Sequence, residues 1–355
     1  MFCCKYLSGH DQANESASSY FPIKISYFPF RTSIEMVSCG FKHTAIISRD
    51  GQVFTWGLNA SHQLGLGSSF NEQHSFVSYP QQVNFRSHPE LGVKTIRITY
   101  VSLGRDHSVC IDSAGKAYSW GWGEANRLGL GDVGIVSSPR RIPSIRRTKF
   151  CSCGREQTVL VTDLGGLITF GAQSPDLDGP IIHEHVVSAS CGDLHVIVAT
   201  KFGNVFVFGN NETGALGLGV DVQHTTYFEK LEFRESCRAE VCNVKMVKVA
   251  AGGYHSVCLD ELGAVWAFGQ DIGHTPRRFF AGGQDIAAGF CTVAVVCSRG
   301  KIYYWGDPNQ QDLEYDEAAA SYARTTVEST SPSPSGETIK YRKVLLGGYG
   351  VIGLC

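Results

Sequence analysis

One spacing of glycines and aromatic residues, repeated six times, constrains this chain more than any other feature of its sequence. Each copy begins with a glycine, has a second glycine eleven residues later, and reaches an aromatic-glycine pair five residues after that. The first copy reads CGFKHTAIISRDGQVFTWG over residues 39–57. The leading glycines are Gly40, Gly104, Gly154, Gly192, Gly252 and Gly289. Six copies that keep three spacings indicate a repeat architecture.

Each copy predicts a β-hairpin. Runs such as HTAIIS and HSVCID are rich in β-branched residues, which favour strands. The second glycine, for example Gly51 or Gly115, falls where a tight turn needs a positive φ and a Cβ is costly. We expect the aromatic residue to pack between neighbouring sheets, and the glycine after it to let the chain leave the strand sharply. Because a lone hairpin cannot bury its face, the copies must stack.

The uneven steps between copies favour a ring with variable loops over a regular solenoid. A seventh copy starts at Gly347 and stops at Cys355, eight residues along and before its turn glycine at step eleven. The N-terminus has the spacing of the missing half, with Cys3 in the turn position and Gly9 after the aromatic slot. We therefore predict an all-β, seven-bladed β-propeller of four-stranded blades, one domain over residues 1–355. N- and C-terminal segments would share blade seven, which removes an open sheet edge.

The combined pattern resembles the regulator of chromosome condensation repeat family over essentially the whole chain. Its elements are Cys/Ala-Gly-x-x-His, the glycine turn, Trp/Phe-Gly-x-Asn and Leu-Gly-Leu-Gly, the last at 64–67, 128–131 and 216–219. The resemblance implies a seven-bladed propeller and functions that range from Ran nucleotide exchange to ultraviolet sensing and scaffolding. Length and termini are similar to the alpha-tubulin suppressor subgroup. That likeness implies a partner role beside a small zinc-binding protein in diphthamide and wobble-uridine tRNA modification.

The repeated histidine and the residues before it are the main candidates for a site. His43, His107, His195 and His255 occupy one repeat position, and we expect them to tie loops together by a hydrogen bond at the strand start. The two preceding residues vary in charge and aromatic character, as a binding face does, although a solvated rim is the alternative. The candidate partner-binding residues are Lys42, Arg105, Asp106, Arg155, Glu156, Asp193, Tyr254 and His255. Resemblance to exchange-type members singles out Asp106, Asp193 and His255 as contacts to a GTPase.

Two further segments stand out by composition. Residues 140–149, RRIPSIRRTK, contain five basic residues, which suit a nuclear signal, a patch for an acidic partner, or an exposed outer strand. Residues 307–337 are polar, acidic early and rich in Ser, Thr and Pro late, so they predict a flexible insert. The net charge of −2 argues against a global attraction to nucleic acid or anionic lipid.

The sequence carries no recognised catalytic or metal-binding motif, and we expect no cofactor. Thirteen cysteines occur without a Cys-x-x-Cys pair, and no secretion signal or apolar span is evident, so a cytoplasmic or nuclear protein is expected. We predict a non-enzymatic interaction propeller that binds a protein partner, a small zinc-binding protein or a small GTPase, through one loop face. The alternative is a guanine nucleotide exchange factor, for which segments 58–100 and 210–248 are candidate inserts.

Overall fold

The structure, a computed structural model, is built from antiparallel β-sheets. It describes residues 33–71, 74–85, 96–143, 147–172, 182–234, 244–306, 325–327, 343–346 and 351–354. Helix in these residues is limited to α1 (Ser68–Asn71) and a 3₁₀ turn (Glu124–Asn126). Within the same residues no helix has the length and apolar character to cross a lipid bilayer. The chain divides into two compact units, Met1–Asp163 with Ile168–Ala172, and Leu164–Leu167 with Gln173–Cys355.

The first unit contains three sheets whose strands pair in sequence order. Sheet one comprises β1 (Ile34–Cys39), β2 (His43–Ser48), β3 (Val53–Leu58) and β4 (Phe76–Gln82). Sheet two comprises β5 (Ile98–Leu103), β6 (His107–Asp112), β7 (Ala117–Trp122) and β8 (Ile135–Arg141). Sheet three comprises β9 (Thr148–Cys153), β10 (Gln157–Thr162) and β11 (Leu167–Gly171), the first residue of which is grouped with the second unit.

The second unit repeats the same order in its described sheets. Sheet four comprises β12 (Val186–Cys191), β13 (His195–Thr200), β14 (Val205–Asn210) and β15 (His224–Leu231). Sheet five comprises β16 (Met246–Ala251), β17 (His255–Asp260), β18 (Ala264–Gly269) and β19 (Gly273–Ala281). Sheet six comprises β20 (Gly283–Ala288), β21 (Val293–Cys297), β22 (Ile302–Trp305) and β23 (Thr325–Val327). A further pair is β24 (Lys343–Leu346) with β25 (Val351–Leu354).

The six predicted hairpins are confirmed as the second and third strands of each sheet. In sheet one, for example, β2 and β3 pair with His43 opposite Gly57. The turn glycines all have φ between 76° and 87°, the left-handed region in which only glycine is unstrained. The glycines after the aromatic residue have φ between 96° and 125°, which confirms that the chain needs glycine to leave each third strand.

Three of the outer strands contain a proline, which a strand-forming sequence pattern does not predict. β4, β8 and β19 each contain a proline, at Pro80, Pro139 and Pro276. Each proline lies where the register with the third strand shifts, and proline is tolerated there because a bulge on an edge strand leaves its missing N–H without consequence. The basic residues Arg140 and Arg141 end β8 and are exposed, so the outer-strand interpretation of the basic segment holds for them.

The core forms between successive sheets within each unit. β2, β6, β10, β13 and β17 are buried along their whole length. Trp120 is fully buried, and a Cβ on Gly65 of sheet one would lie 2.7 Å from its Nε1. Phe268 packs in the same way on Gly217, 2.8 Å from a Cβ there. Trp120 and Phe268 therefore pack against the Leu-Gly loop of the preceding sheet, and loss of one such ring costs about 3–5 kcal/mol.

The predicted ring closure falls mostly outside the described residues. Residues 1–32 and 347–350, which carry the proposed junction, are not described. β24 and β25 match the first two strands of the other sheets, and β24 lies beside β20. The count of seven blades and their closure stay predictions. Of the predicted insert 307–337, residues 325–327 form β23 on the edge of sheet six, and the remainder lies outside the described residues.

Candidate partner-binding site

The repeated histidine is a buried structural residue at the end of each sheet where its second strand begins, here called the loop end. His43, His107, His195 and His255 are each 3% exposed or less. Burial lowers the pKa of His43 and His107 to about 3, so both imidazoles are neutral at physiological pH. The expected structural role of the repeated histidine is thus seen in its geometry.

Each of three histidines reaches a hydroxyl on the next sheet of its own unit. His43 Nε2 lies 3.0 Å from Ser108 Oγ, which donates at 2.7 Å to the carbonyl oxygen of Gln63. Since the serine proton is used on that carbonyl, Nε2 of His43 carries the hydrogen of the first bond. Gln63 precedes the Leu-Gly-Leu-Gly segment of the first sheet. The histidine and the loop of one sheet are therefore joined through a hydroxyl of the next.

The same relay recurs in both units. In the first unit it runs from His107 through Thr158 to the carbonyl of Arg127. In the second it runs from His195 through Ser256 to the carbonyl of Ala215. For His255 the corresponding residue of the next sheet is Val293, which has no hydroxyl, and Nε2 of His255 has no hydrogen-bond partner among the described residues. The relay is present where the next sheet supplies Ser or Thr and the histidine's own sheet has a Leu-Gly-Leu-Gly loop.

The leading glycine lets neighbouring loop ends approach. A Cβ on Gly40 would lie 2.5 Å from the carbonyl oxygen of Gly104, and one on Gly104 would lie 2.3 Å from that of Gly154. The backbone N–H of Phe41 donates to Gly104 at 3.2 Å, and that of Arg105 donates to Gly154 at 3.1 Å. The backbone of the loop end is thereby fixed, and in the first unit the two residues after each leading glycine are left half-buried or exposed.

In the first unit these residues form a charged surface, the unit-one loop face, defined as Phe41, Lys42, Arg105, Asp106, Arg155 and Glu156. The Arg105–Asp106 ion pair spans 3.7 Å and the Arg155–Glu156 pair spans 3.3 Å, with each side chain about one third exposed. The Arg105 guanidinium also lies 5.0 Å from the centre of the Phe41 ring. Lys42 is exposed. Five of the eight predicted site residues are therefore brought together here.

Arg127 supports this face and was missed from the sequence. It is 8% exposed, and its Nη1 donates to the carbonyl of Arg155 at 3.1 Å while Nε donates to that of Glu124 at 2.9 Å. Burial lowers its pKa, and the nearby carboxylates of Glu156, Asp106 and Glu124 act in the opposite direction. The sequence signal that could have identified it is its position directly before Leu-Gly-Leu-Gly. The same position holds Gln63 in the first sheet and Ala215 in the fourth.

The second unit presents an aromatic and acidic surface, the unit-two loop face, defined as Asp193, Leu194, Tyr254 and Phe290. Tyr254 and Phe290 meet edge to face, with ring centres 5.5 Å apart. A Cβ on Gly253 would lie 2.8 Å from the Phe290 ring, so this glycine leaves room for the aromatic pair. Asp193 and Tyr254 are two of the predicted site residues, and both are half-buried with access to solvent.

His255, unlike Asp193 and Tyr254, is not part of the unit-two loop face. It is 1% exposed, and a Cβ on Gly252 would lie 2.2 Å from its Cε1, so the ring is enclosed beneath the loop rather than presented to a partner. The sequence predicted His255 as a contact to a GTPase, and its burial does not agree with that prediction. The side chain next to it, Tyr254, takes the exposed position.

The described residues offer no metal centre, and the repeat cysteine Cys153 is buried. They contain no group of three or more His, Cys, Asp and Glu side chains placed to hold a metal ion. Glu184, between His183 and His185, instead binds the hydroxyl of Thr200 and the amide of Asn204. Burial raises the pKa of Cys153 to about 12, which keeps this thiol protonated and unreactive.

Comparison with known proteins places the repeat in a family. Profiles of the regulator of chromosome condensation (RCC1) repeat match residues 50–111, 114–161 and 203–259, and a second RCC1 repeat profile matches 36–63. The probable E3 ubiquitin-protein ligase HERC3 of Homo sapiens is 33% identical over 290 residues, which are 76% of this chain and 24% of HERC3. The ultraviolet-B receptor UVR8 of Arabidopsis thaliana is 27% identical over 253 residues, 67% of this chain and 53% of the receptor.

Solved structures share the fold at low sequence identity. Human WBSCR16 superposes with a TM-score of 0.74 at 18% identity, covering 94% of this chain and 88% of that one. Prp20p of Saccharomyces cerevisiae, a structure described with its binding to Gsp1p and histones, gives 0.71 at 20% identity and covers 90% and 82%. A structure of yeast RCC1 (Prp20) bound to Kap60 also gives 0.71. These likenesses show an RCC1-type β-propeller fold.

Proposed function

Because the chain belongs to the regulator of chromosome condensation (RCC1) repeat family, we propose that it is a non-enzymatic interaction protein that binds a protein partner through its loop faces. RCC1-type propellers generally mediate protein interaction or nucleotide exchange. The chain spans about a quarter of HERC3 and half of UVR8. The activities of those whole proteins are therefore not carried over.

A contrast within the repeat carries the proposal. At the loop end, the leading glycine is buried in every sheet and so is the histidine where it is present, while the two residues between them vary and, apart from the buried Gly253 and Cys291, are reached by solvent. A purely structural rim needs no such variety, whereas recognition by a partner uses exposed charged and aromatic side chains on a rigid support. The unit-one loop face offers ion pairs and a cation–π contact, and the unit-two loop face offers the Tyr254–Phe290 pair.

Guanine nucleotide exchange is the second candidate, and the fold likeness to Prp20 supports it. Exchange requires no covalent chemistry, because the protein would only stabilise a GTPase without its nucleotide. Of the candidate inserts, 58–100 and 210–248, the described parts mainly supply loops and the outer strands β4 and β15. Their remaining residues, including 86–95 and 235–243, lie outside the described part of the chain.

A more specific role follows from the similarity to the alpha-tubulin suppressor subgroup. In that case the partner is a small zinc-binding protein, and this chain is an accessory subunit in diphthamide or wobble-uridine tRNA modification. This version rests on resemblance alone, and a cytoplasmic or nuclear location is proposed with it. The identity of the retained partner decides between it and the exchange candidate.

Affinity capture under two conditions tests both candidates. Tagged full-length protein is incubated with cell extract in EDTA, and separately in excess Mg²⁺ and GTP. A scaffold role predicts a partner retained in both conditions, while exchange activity predicts a small GTPase retained in EDTA alone. A small zinc-binding protein among partners retained in both conditions supports the subgroup role.

A double substitution on the loop faces links the captured partner to the proposed site. Asp106→Ala with Asp193→Ala removes one carboxylate from each face, and we expect the partner's Kd to rise about tenfold with no change in stability. Asp132→Ala with Asp221→Ala is the matched control, because both residues are exposed and follow Leu-Gly-Leu-Gly segments. Equal affinities for the two double variants would remove the loop faces from the proposal.

A further inference from the structure

The opposite, hairpin-turn end of the first unit carries a concentration of positive charge that the proposed function does not use. Seven exposed basic residues of the described chain lie at this end of sheets one to three. This surface, here called the basic rim, comprises Arg49, Arg97, Lys116, Arg140, Arg141, Arg147 and Lys149. Three exposed acidic residues accompany them, Glu35, Asp50 and Asp163. The chain as a whole has a net charge of −2, so the rim is a local reversal of sign.

Backbone hydrogen bonds make the basic rim continuous from sheet to sheet. The N–H of Ile98 donates to the carbonyl of Gly51 at 2.9 Å, and that of Ser113 donates to Arg97 at 2.8 Å. The N–H of Thr148 donates to Gly115 at 2.8 Å. Each hairpin turn is thus fixed to the first strand of the following sheet, and the basic side chains stand on one rigid edge.

The placement of individual side chains leaves their charges available. Arg97 and Arg147 cover turn glycines with their aliphatic stems, since a Cβ on Gly51 or Gly115 would lie 2.3 or 2.2 Å from the respective Cγ. The guanidinium of Arg97 donates to the carbonyl of Arg49 at 2.7 Å. None of the seven basic residues takes part in an ion pair with another described residue.

The fold itself does not demand positive charge at these positions. The hairpin-turn residues of the second unit include Phe202 and Leu262, which are 72% and 85% exposed. A long stem over the turn glycine is a packing requirement that an uncharged side chain also meets. Lys245 covers Gly203 of the second unit as Arg97 covers Gly51, whereas the ring of His185 covers Gly165, so a basic stem recurs at this position without being required by the repeat.

We propose that the basic rim of the first unit binds an acidic protein segment rich in Asp and Glu. Five of its seven members are arginines, whose planar forks match carboxylates in bidentate geometry. The described residues on or beside the rim expose one aromatic ring, Tyr79 on β4, whereas single-stranded nucleic acids stack successive bases on several. The interspersed Glu35, Asp50 and Asp163 divide the positive charge into short stretches, which suits separate carboxylates better than the unbroken charge of a phosphate backbone.

Fluorescence anisotropy with the full-length chain tests the proposal. The probe is a labelled peptide of about ten alternating Asp and Glu residues, compared with an Asn/Gln peptide and with duplex DNA. We expect the acidic peptide to bind most tightly and to weaken at least threefold between about 50 and 200 mM NaCl. Arg140→Gln with Arg141→Gln should raise its Kd about fivefold.

The chain provides a matched control for that variant. Arg277 and Arg278 follow Pro276 on β19 in the same register as Arg140 and Arg141 on β8, and they are likewise exposed. Arg277→Gln with Arg278→Gln should change the Kd less than about twofold, because it removes the same charge from residues that are not members of the rim. Lys116→Gln with Lys149→Gln is a second rim variant that leaves the packed arginine stems intact, and it should weaken binding as well.

Several outcomes would overturn the proposal. If the Arg277/Arg278 variant weakens peptide binding as much as the Arg140/Arg141 variant, binding responds to net charge rather than to the rim. Tighter binding of duplex DNA than of the acidic peptide would assign the surface to nucleic acid instead. Equal binding of the Asn/Gln peptide, or no binding of the acidic peptide at about 1 mM, would exclude a carboxylate site.

Discussion

The Ser108→Ala substitution tests the relay that joins one sheet to the next. Ser108 is fully buried, and its hydroxyl is bonded both to His43 Nε2 at 3.0 Å and to the carbonyl of Gln63 at 2.7 Å. Alanine removes one oxygen and leaves the backbone of β6 unchanged. The effect therefore reports on the two hydrogen bonds rather than on lost packing.

The cost follows from which groups lose all their partners. Gln63 keeps a donor, because Trp120 Nε1 also bonds its carbonyl at 2.8 Å. His43 loses its only described hydrogen bond, since Nδ1 already has no partner among the described residues. A buried polar group left unsatisfied costs about 1–3 kcal/mol, so we expect a loss of about 2 kcal/mol in the free energy of unfolding.

The second unit contains a variant that should cost more. Ser256→Ala removes the bond to His195 and also the one side-chain donor described for the carbonyl of Ala215. Phe268 stands where sheet two has Trp120, and it has no N–H to replace the lost donor. We expect Ser256→Ala to destabilise by about 1 kcal/mol more than Ser108→Ala.

Urea unfolding followed by tryptophan fluorescence measures both changes, with Ser113→Ala as the control. Ser113 is exposed in a hairpin turn, so its replacement should alter the free energy of unfolding by less than about 0.5 kcal/mol. If Ser108→Ala and Ser256→Ala both stay within that limit, the relay does not stabilise the fold. If Ser108→Ala lowers the free energy of unfolding more than Ser256→Ala does, the loss does not follow the number of buried polar groups left without a partner.

Three other predictions concern the repeat and its termini. His107 has a folded pKa of about 3, below the unfolded value of about 6.5, so the stability that its neutral form contributes is complete above pH 6.5 and is lost as the pH falls towards 3. In urea titrations, His107→Gln should therefore make the drop in unfolding free energy between pH 7 and pH 5 smaller by about 2 kcal/mol. A drop as large as that of the unsubstituted protein would contradict this. Val293→Thr places a hydroxyl beside Nε2 of His255 and should lower the free energy of unfolding by less than about 1 kcal/mol. Val295→Thr on the same buried strand is the control and should lower it by about 2 kcal/mol. Equal losses would show that the histidine-to-hydroxyl relay does not extend to His255. Deletion of residues 345–355 should abolish cooperative thermal unfolding if the termini share a blade, and a truncated chain that keeps its Tm would exclude closure.

The hairpins could be predicted because their constraints act on single residues. A turn that needs a positive φ selects glycine, and Gly51 and Gly115 show that selection at a fixed distance from the next aromatic residue. The outer strands could not be read in this way. Pro80 and Pro139 argue against a strand in isolation, and only pairing at a bulge shows why they are tolerated.

The site was predictable to a similar degree. The variable pair before each histidine identified Arg105 and Asp106, because exposure alternates with burial at fixed steps of the repeat. His255 was assigned to the surface because its burial depends on the approach of the neighbouring loop, which no local pattern records. Arg127 was missed for the same reason, since its bond to the carbonyl of Arg155 joins residues 28 apart in the chain.

Site-specific photo-crosslinking tests the central claim, that the loop faces bind the partner. A photoreactive amino acid replaces Lys42 on the unit-one loop face, and in a second variant it replaces Ala114 in a hairpin turn at the other end of the same unit; both positions are exposed. With the captured partner present, the account predicts a crosslinked product from position 42 and none from position 114. A product from position 114 alone would contradict the account and move partner binding to the hairpin-turn end.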